Sequence, residues 1–385
     1  MGRPLAMDDA PALVAPVRGP WLVSRRFDLT WIFGGAVVGL LAAAVALNRP
    51  GSIVALWWLW MIAFDGPHMM AAYTRTYLDR RAWQERRRLL LGALAAFAIG
   101  PICLGIDVAA GGAVAFPLFL GFGTVYGYYH VIRQHYGFLA LYKTRAGERS
   151  RRVFLVDKWC LYLGCGLPYV AFVATHPRAR ALAGLAPDAG PPAVLLAALV
   201  LVWLTAVATF VAVAWRTRAG AGVPPKLWYG AGTMLFHGLV YYAVARLEPV
   251  YSASAGPDQD FLLLSIMVVV FHNVQYVALV YVHNRSRYGA LDGGHGAAAW
   301  AIRSTPRFLL VCLSFSLVYF ALARSTGVFP WFHDLQGVML GPLRANDLAL
   351  ATWWGLALHH YYLDQRIWRI KQDPALREHL GLRAA

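Results

Sequence analysis

The segment 193–215, AVLLAALVLVWLTAVATFVAVAW, runs for 23 residues without a charged side chain. About 20 apolar residues is the length an α-helix needs to cross the hydrocarbon core of a bilayer. Stretches of this kind recur along the whole chain, at roughly 28–47, 53–73, 89–109, 113–138, 154–174, 192–215, 227–245, 260–282, 308–324 and 347–366. In lipid the backbone must satisfy its own hydrogen bonds, which a helix does. The pattern predicts an all-α polytopic integral membrane bundle of about ten transmembrane helices. The least regular stretches are 154–174, with Asp157 and Lys158 near its start, and 308–324, which is short.

Composition agrees. The chain is 59% hydrophobic and only 14% charged, whereas soluble domains carry roughly 25% charge. Basic residues concentrate in alternate connections: TRTYLDRRAWQERRR, KTRAGERSRR, RTRAGAGVPPK, the stretch from NRSRY to STPR, and RIWRIKQ. The intervening loops are poorer in Lys and Arg. By the positive-inside rule this puts both termini in the cytoplasm of a cell with a bacterial-type inner membrane. The net charge of +16 is then a topology signal that also suits anionic headgroups. It is not a nucleic-acid footprint, because no basic stripe interleaved with aromatics occurs on a soluble domain. Residues 1–27 read as a flexible cytoplasmic lead without a cleavable signal peptide, 28–368 as one membrane domain and 369–385 as a cytoplasmic tail. The four cysteines, Cys103, Cys160, Cys165 and Cys312, fall in or beside predicted spans with no C-x-x-C pair. That spacing argues against thiolate metal binding and a disulfide framework.

Histidine placement carries the functional signal, since ionisable groups within a span are costly and mark function by default. His68, the pair His130 and His135, His272 and the doublet His359–His360 sit in the second halves of predicted spans that all run the same way. Four parallel-running helices thereby bring imidazoles to one depth, in the cytoplasmic leaflet. His237 lies midway along a span of the opposite sense. At about 100° per residue, Asp65 shares a helix face with His68, and His360 with Asp364. His130 shares a face with Gln134. His130 and His135 are about 140° apart, so they serve one site only through a distortion, or two metals between helices. His272 and His283 share a face about 16 Å apart along the axis, too far for one ion. His283 is accordingly read as interfacial.

This reading makes His68, His130, His135, His272, His359 and His360 the candidate metal ligands. Asp65, Asp364, Gln134, Asn273, His237 and His283 are further ligands or groups that orient a ligand. Arg133 is a candidate for holding a substrate headgroup. The arginines that follow the clusters, Arg75, Arg145, Arg285 and Arg366, are positive-inside charges first and anion-holding groups second.

Imidazoles with one or two carboxylates and no thiolate suit iron, copper or zinc. Six histidines exceed the four ligands of one tetrahedral zinc, which puts iron, as two ions before one, ahead of zinc, copper or haem. A site opening into a bilayer sees a hydrophobic small-molecule substrate. These considerations point to O₂-dependent desaturation, hydroxylation or cleavage of a lipid or isoprenoid. Where that chemistry consumes electrons, a separate donor protein must supply them, as the chain has no ferredoxin or cytochrome segment.

H-x-x-x-x-H, as His130 to His135, resembles the first histidine box of membrane fatty-acid desaturases and hydroxylases. The His359–His360 doublet resembles the end of their H-x-x-H-H boxes, with Leu356 where the first histidine of that box stands. The resemblance implies those four residues as iron ligands, completed by His68 and His272. The span count and histidine placement are more loosely similar to bacterial membrane carotene-cleaving dioxygenases. Two other classes remain open at this point. A bis-histidine haem electron-transfer protein would use facing histidines. A proton- or metal-coupled transporter would use the intramembrane His and Asp, and Gly66–Pro67, Gly100–Pro101 and Gly166–Pro168 as helix breaks.

Overall fold

Each of the ten apolar stretches folds as a helical run. The computed structural model describes residues 19–177, 180, 186, 190–218, 224–247, 259–288, 294–326 and 335–382. Helix α1 is Arg25–Asn48 and α3 is Arg87–Ala110. Between them α2 covers 53–74, its halves Ile53–Trp60 and Gly66–Thr74 joined by a π turn at Met61–Asp65. Then come α4, Ala115–Arg145, α5, Arg151–Thr175, and α6, Ala193–Arg216. Helix α7, Pro225–Gly238, continues through a π turn at Leu239–Ala243. Helices α8, Gln259–Tyr288, α9, Thr305–Ser325, and α10, Ala345–Ile367, complete the set. Among the described residues, the strands are a two-residue pair, Met339–Leu340 with Leu343–Arg344. The chain is all-α, as expected.

The number of spans differs from the expectation of ten. Six helices are long and apolar enough to cross a membrane: α1, α3, α5, α6, α9 and the Leu262–Tyr288 part of α8. The other four, α2, α4, α7 and α10, are helical but diluted by polar side chains, and these include Asp65, His68, His130, His135, His237, His359, His360 and Asp364. The stretch that Asp157 made irregular is a full helix, and the Lys143 ammonium of α4 matches its Asp157 carboxylate at 2.6 Å, both fully buried. Residues 1–18 of the N-terminal lead lie outside the described residues. The C-terminal tail is folded at least through the short helix Pro374–His379, which packs on α8.

Helix α8 is the centre of the bundle. Its most apolar window is 72% buried, against 11% in α6. It packs on α1, α2, α4 and α7. Helix α1 approaches it through Gly35 and Gly39: a Cβ on either would fall 2.8 Å from Phe271 Cα or from the Met267 carbonyl oxygen. Small residues four apart allow this backbone-to-backbone contact, which lipid cannot drive by the hydrophobic effect.

The π turn in α2 follows from Pro67, which lacks an N–H and whose ring crowds the preceding turn. Gly66 N–H bonds the Met61 carbonyl, five residues back. The Ile62 carbonyl then loses both of its helical donors, and the Ser316 hydroxyl of α9 donates to it instead at 2.7 Å. One proline thus widens α2, fixes it against α9 and sets the rotation of the next residue, His68.

Candidate metal centre

Helices α2, α4 and α10 bring His68, His130 and His360 together, with one ring nitrogen of each within 4.8 Å of the others. His68 Nε2 and His360 Nε2 are 2.7 Å apart. The His272 ring, from α8, packs 4.7 Å from His68 and 5.0 Å from His130, centroid to centroid. Asp364 closes the group as its i,i+4 spacing predicts, with Oδ2 3.2 Å from His360 Nε2 and 3.7 Å from His130 Nε2. Its other oxygen accepts from the Tyr276 hydroxyl at 2.5 Å. Asp65 turns elsewhere and accepts from Asn273 Nδ2 at 3.0 Å. Gln134 donates to the His272 carbonyl at 2.7 Å, tying α4 to α8.

His135 and His237 form a second pair, with ring centroids 5.4 Å apart. Their protonation can be deduced. Gln275 Nε2 donates to the Ile32 carbonyl at 2.7 Å, so its Oε1 is the atom that faces Tyr229, at 3.3 Å. Tyr229 must donate there, and its lone pair accepts from His135 Nδ1–H at 2.9 Å. Likewise Tyr128 donates to the Cys165 carbonyl at 2.8 Å, so it accepts from His237 Nδ1–H at 2.7 Å. With Nδ1 carrying the proton, the neutral form of each imidazole presents a bare Nε2, the form that binds a metal. A second-nitrogen partner that fixes the tautomer is the usual support of a ligating histidine. The 140° between His130 and His135 is resolved by placing them in two groups along a regular α4.

Three candidates stand apart. His359 is saturated: Tyr77 donates to the Leu90 carbonyl at 2.8 Å and so accepts from His359 Nε2–H at 2.7 Å, while Tyr73 donates to Nδ1 at 3.2 Å. It keeps no free lone pair for an ion. His283 meets Asn284 Oδ1 at 3.0 Å and lines a pocket at the end of the bundle. Arg133 is exposed, beside the Tyr129 hydroxyl at 3.5 Å, outside both histidine groups. The Tyr128, Tyr229 and Tyr276 roles were missed in the sequence, where tyrosines near histidines resemble an interfacial belt.

Buried polar atoms without partners are few in native proteins. Within the two histidine groups six imidazole nitrogens are buried without a hydrogen-bond partner among the described residues: His68 Nδ1, His130 Nε2, His135 Nε2, His237 Nε2, His272 Nδ1 and His360 Nδ1. A metal ion taken up by this set would relieve part of that cost, and the donors, nitrogen with one carboxylate, fit iron, copper or zinc. The fold and site define a helical protein with membrane-like helices and a buried histidine cluster. No protein-family model, curated protein or solved structure matches the chain.

Proposed function

We propose that the protein is a membrane-integral, histidine-ligated iron oxidoreductase that acts with O₂ on a lipid or isoprenoid. The observation that carries this reading is the buried grouping of His68, His130 and His360, one ring nitrogen of each within 4.8 Å of the others, with the Asp364 carboxylate 3.2 Å from His360. His68, His130 and His360, with His272 beside them and Asp364 as the carboxylate, would hold one ion. His135 and His237 would offer their bare Nε2 atoms to a second. Iron bound there would supply the O₂-dependent oxidation. The chain's own contribution is to fix the ligands: Tyr276 orients Asp364, Tyr229 and Tyr128 fix the tautomers of His135 and His237, and Pro67 sets the angle of His68. In this reading the chain crosses a bacterial-type inner membrane ten times with both termini in the cytoplasm. The substrate enters from the bilayer, and a separate protein donates electrons where the reaction consumes them.

The test is metal analysis and an optical spectrum on detergent-purified protein. About one or two irons per chain without a Soret band, lost in His130→Ala and His360→Ala, is the expected result. A Soret band would instead make the chain a haem electron carrier. A folded protein that holds no metal after anaerobic preparation would leave the transporter reading, which the π turns in α2 and α7 favour.

A further inference from the structure

Where α2, α8 and α10 end together, a pocket is lined by Arg75, Arg86, Arg287, His283 and His379. Two carboxylates also reach it, and both are engaged: Asp373 lies 2.9 Å from Arg86, and Glu85 lies 2.7 Å from Arg81. Arg287 is paired as well, 3.2 Å from Asp79. Arg75 has no carboxylate in ion-pair contact among the described residues, although Asp373 lies close enough to feel its charge. Its Nη2 donates to the Ile367 carbonyl at 2.9 Å, and its guanidinium lies 3.9 Å over the Trp368 ring. The residue is only 7% exposed, and its Nη1 has no hydrogen-bond partner among the described residues.

A guanidinium remains charged at any working pH, and burying a charge without a partner is strongly destabilising by itself. An arginine that only fixes topology avoids that cost by sitting in water or among headgroups. Arg75 instead is held by a carbonyl and an indole face, lines a concave, cation-rich pocket, and keeps one terminal nitrogen without a partner among the described residues. That is how an arginine is prepared for an oxyanion, whose oxygens accept two parallel N–H bonds from the planar fork.

We propose that this pocket is an anion site that takes a phosphate group, with Arg75 as the direct ligand and Arg86 and Arg287 as flanking charges. The inference stands on the pocket alone and does not depend on the metal centre. The two are nevertheless joined. Trp368 Nε1 donates to the Tyr276 hydroxyl at 3.4 Å, and Tyr276 donates to Asp364 at 2.5 Å. A phosphate on Arg75 sits at one end of a chain of side chains whose other end is the carboxylate beside His360. The phosphate belongs either to a water-soluble molecule or to a phospholipid headgroup.

The full-length protein in an uncharged detergent is melted against inorganic phosphate, with chloride at matched ionic strength as the reference. In parallel, it is melted in phosphatidylcholine nanodiscs with and without phosphatidic acid. Arg75→Gln and Arg75→Lys are compared with Arg366→Gln, an exposed arginine elsewhere on the same end. A saturable rise in Tm, with at least tenfold weaker apparent affinity in Arg75→Gln and no change in Arg366→Gln, is expected. A response to inorganic phosphate assigns a soluble ligand, and a response to phosphatidic acid alone assigns a headgroup. If Arg75→Gln does not fold, Arg75→Lys carries the comparison, because it keeps the charge and loses the fork. No saturable response of the unaltered protein to either probe overturns the proposal, as does an equal response in the folded Arg75 variants.

Discussion

At the residue scale, the ligand set separates by what each imidazole has left to give. His359 and His360 are neighbours in sequence, yet only His360 faces the cluster. Successive helical residues point about 100° apart, and the sequence could not say which of the two faced inward. The structure decides it through Tyr77 and Tyr73, which use both nitrogens of His359. His359→Ala is therefore expected to retain bound metal at the unaltered stoichiometry, whereas His360→Ala loses it. Metal analysis of the two purified variants side by side checks this, and equal loss in both would put His359 back among the ligands. Asp364 was legible because an i,i+4 carboxylate shares a face with its histidine. Asp65 was equally placed by that rule, at i,i+3 from His68, but its carboxylate is taken up by the Asn273 amide of α8, a partner that helix geometry alone does not reveal.

At the element scale, the helices were legible and their packing was not. Apolar length marks a helix, but the choice of neighbour depends on close approach. The signal for α1 against α8 was present in Gly35 and Gly39, four residues apart, and only the backbone contact gives it meaning. The loop between α2 and α3 shows a similar gap. TRTYLDRRAWQERRR reads as a basic, solvated connection, yet Asp79 within it is a buried junction. It caps the short helix Arg80–Glu85 through Arg81 N–H and takes the Tyr288 hydroxyl, His295 Nδ1 and Arg287, each within 3.2 Å. Burial alone would raise its carboxyl. The hydrogen bonds from His295 and Tyr288 and the charge of Arg287 outweigh that and hold it below its ordinary value. A carboxylate with a lowered folded pKa stabilises the protein above the unfolded pKa, about 3.9, and loses that contribution as pH falls through the folded value. Asp79→Asn should cost roughly 1.5–3 kcal/mol at neutral pH, the worth of hydrogen bonds to a charged group. Melting curves of both proteins should then converge as the pH drops below about 4. A gap that stays constant across that range would mean that the Asp79 charge contributes nothing.

At the scale of the whole molecule, the helices that hold the histidines are the ones whose apolar length is least secure. Helices α2, α4, α7 and α10 fall outside the six that qualify as spans by length and composition, while α8, the most buried of those six, carries His272 among them. A helix that donates polar groups to a shared interior gives up hydropathy for it, and it can cross a bilayer only because its neighbours cover those groups. The same trade explains why the fold class was legible and the span count was not: hydropathy measures each helix alone, whereas coverage is a property of the bundle. The two counts make opposite statements about two exposed positions. With ten crossings, Gln84, between α2 and α3, lies on the side of the C-terminus, and Gly112, between α3 and α4, lies on the other. With only six, Gln84 is opposite the C-terminus and Gly112 shares its side. Labelling Gln84→Cys and Gly112→Cys in intact cells with a membrane-impermeant maleimide reads this directly, with the unaltered protein as the blank for its own cysteines. The expected result is that Gly112→Cys labels from outside and Gln84→Cys labels only after the membrane is opened. The reverse pattern would mean that α2 does not cross, and that the histidine cluster is built at a membrane surface instead of within the bilayer.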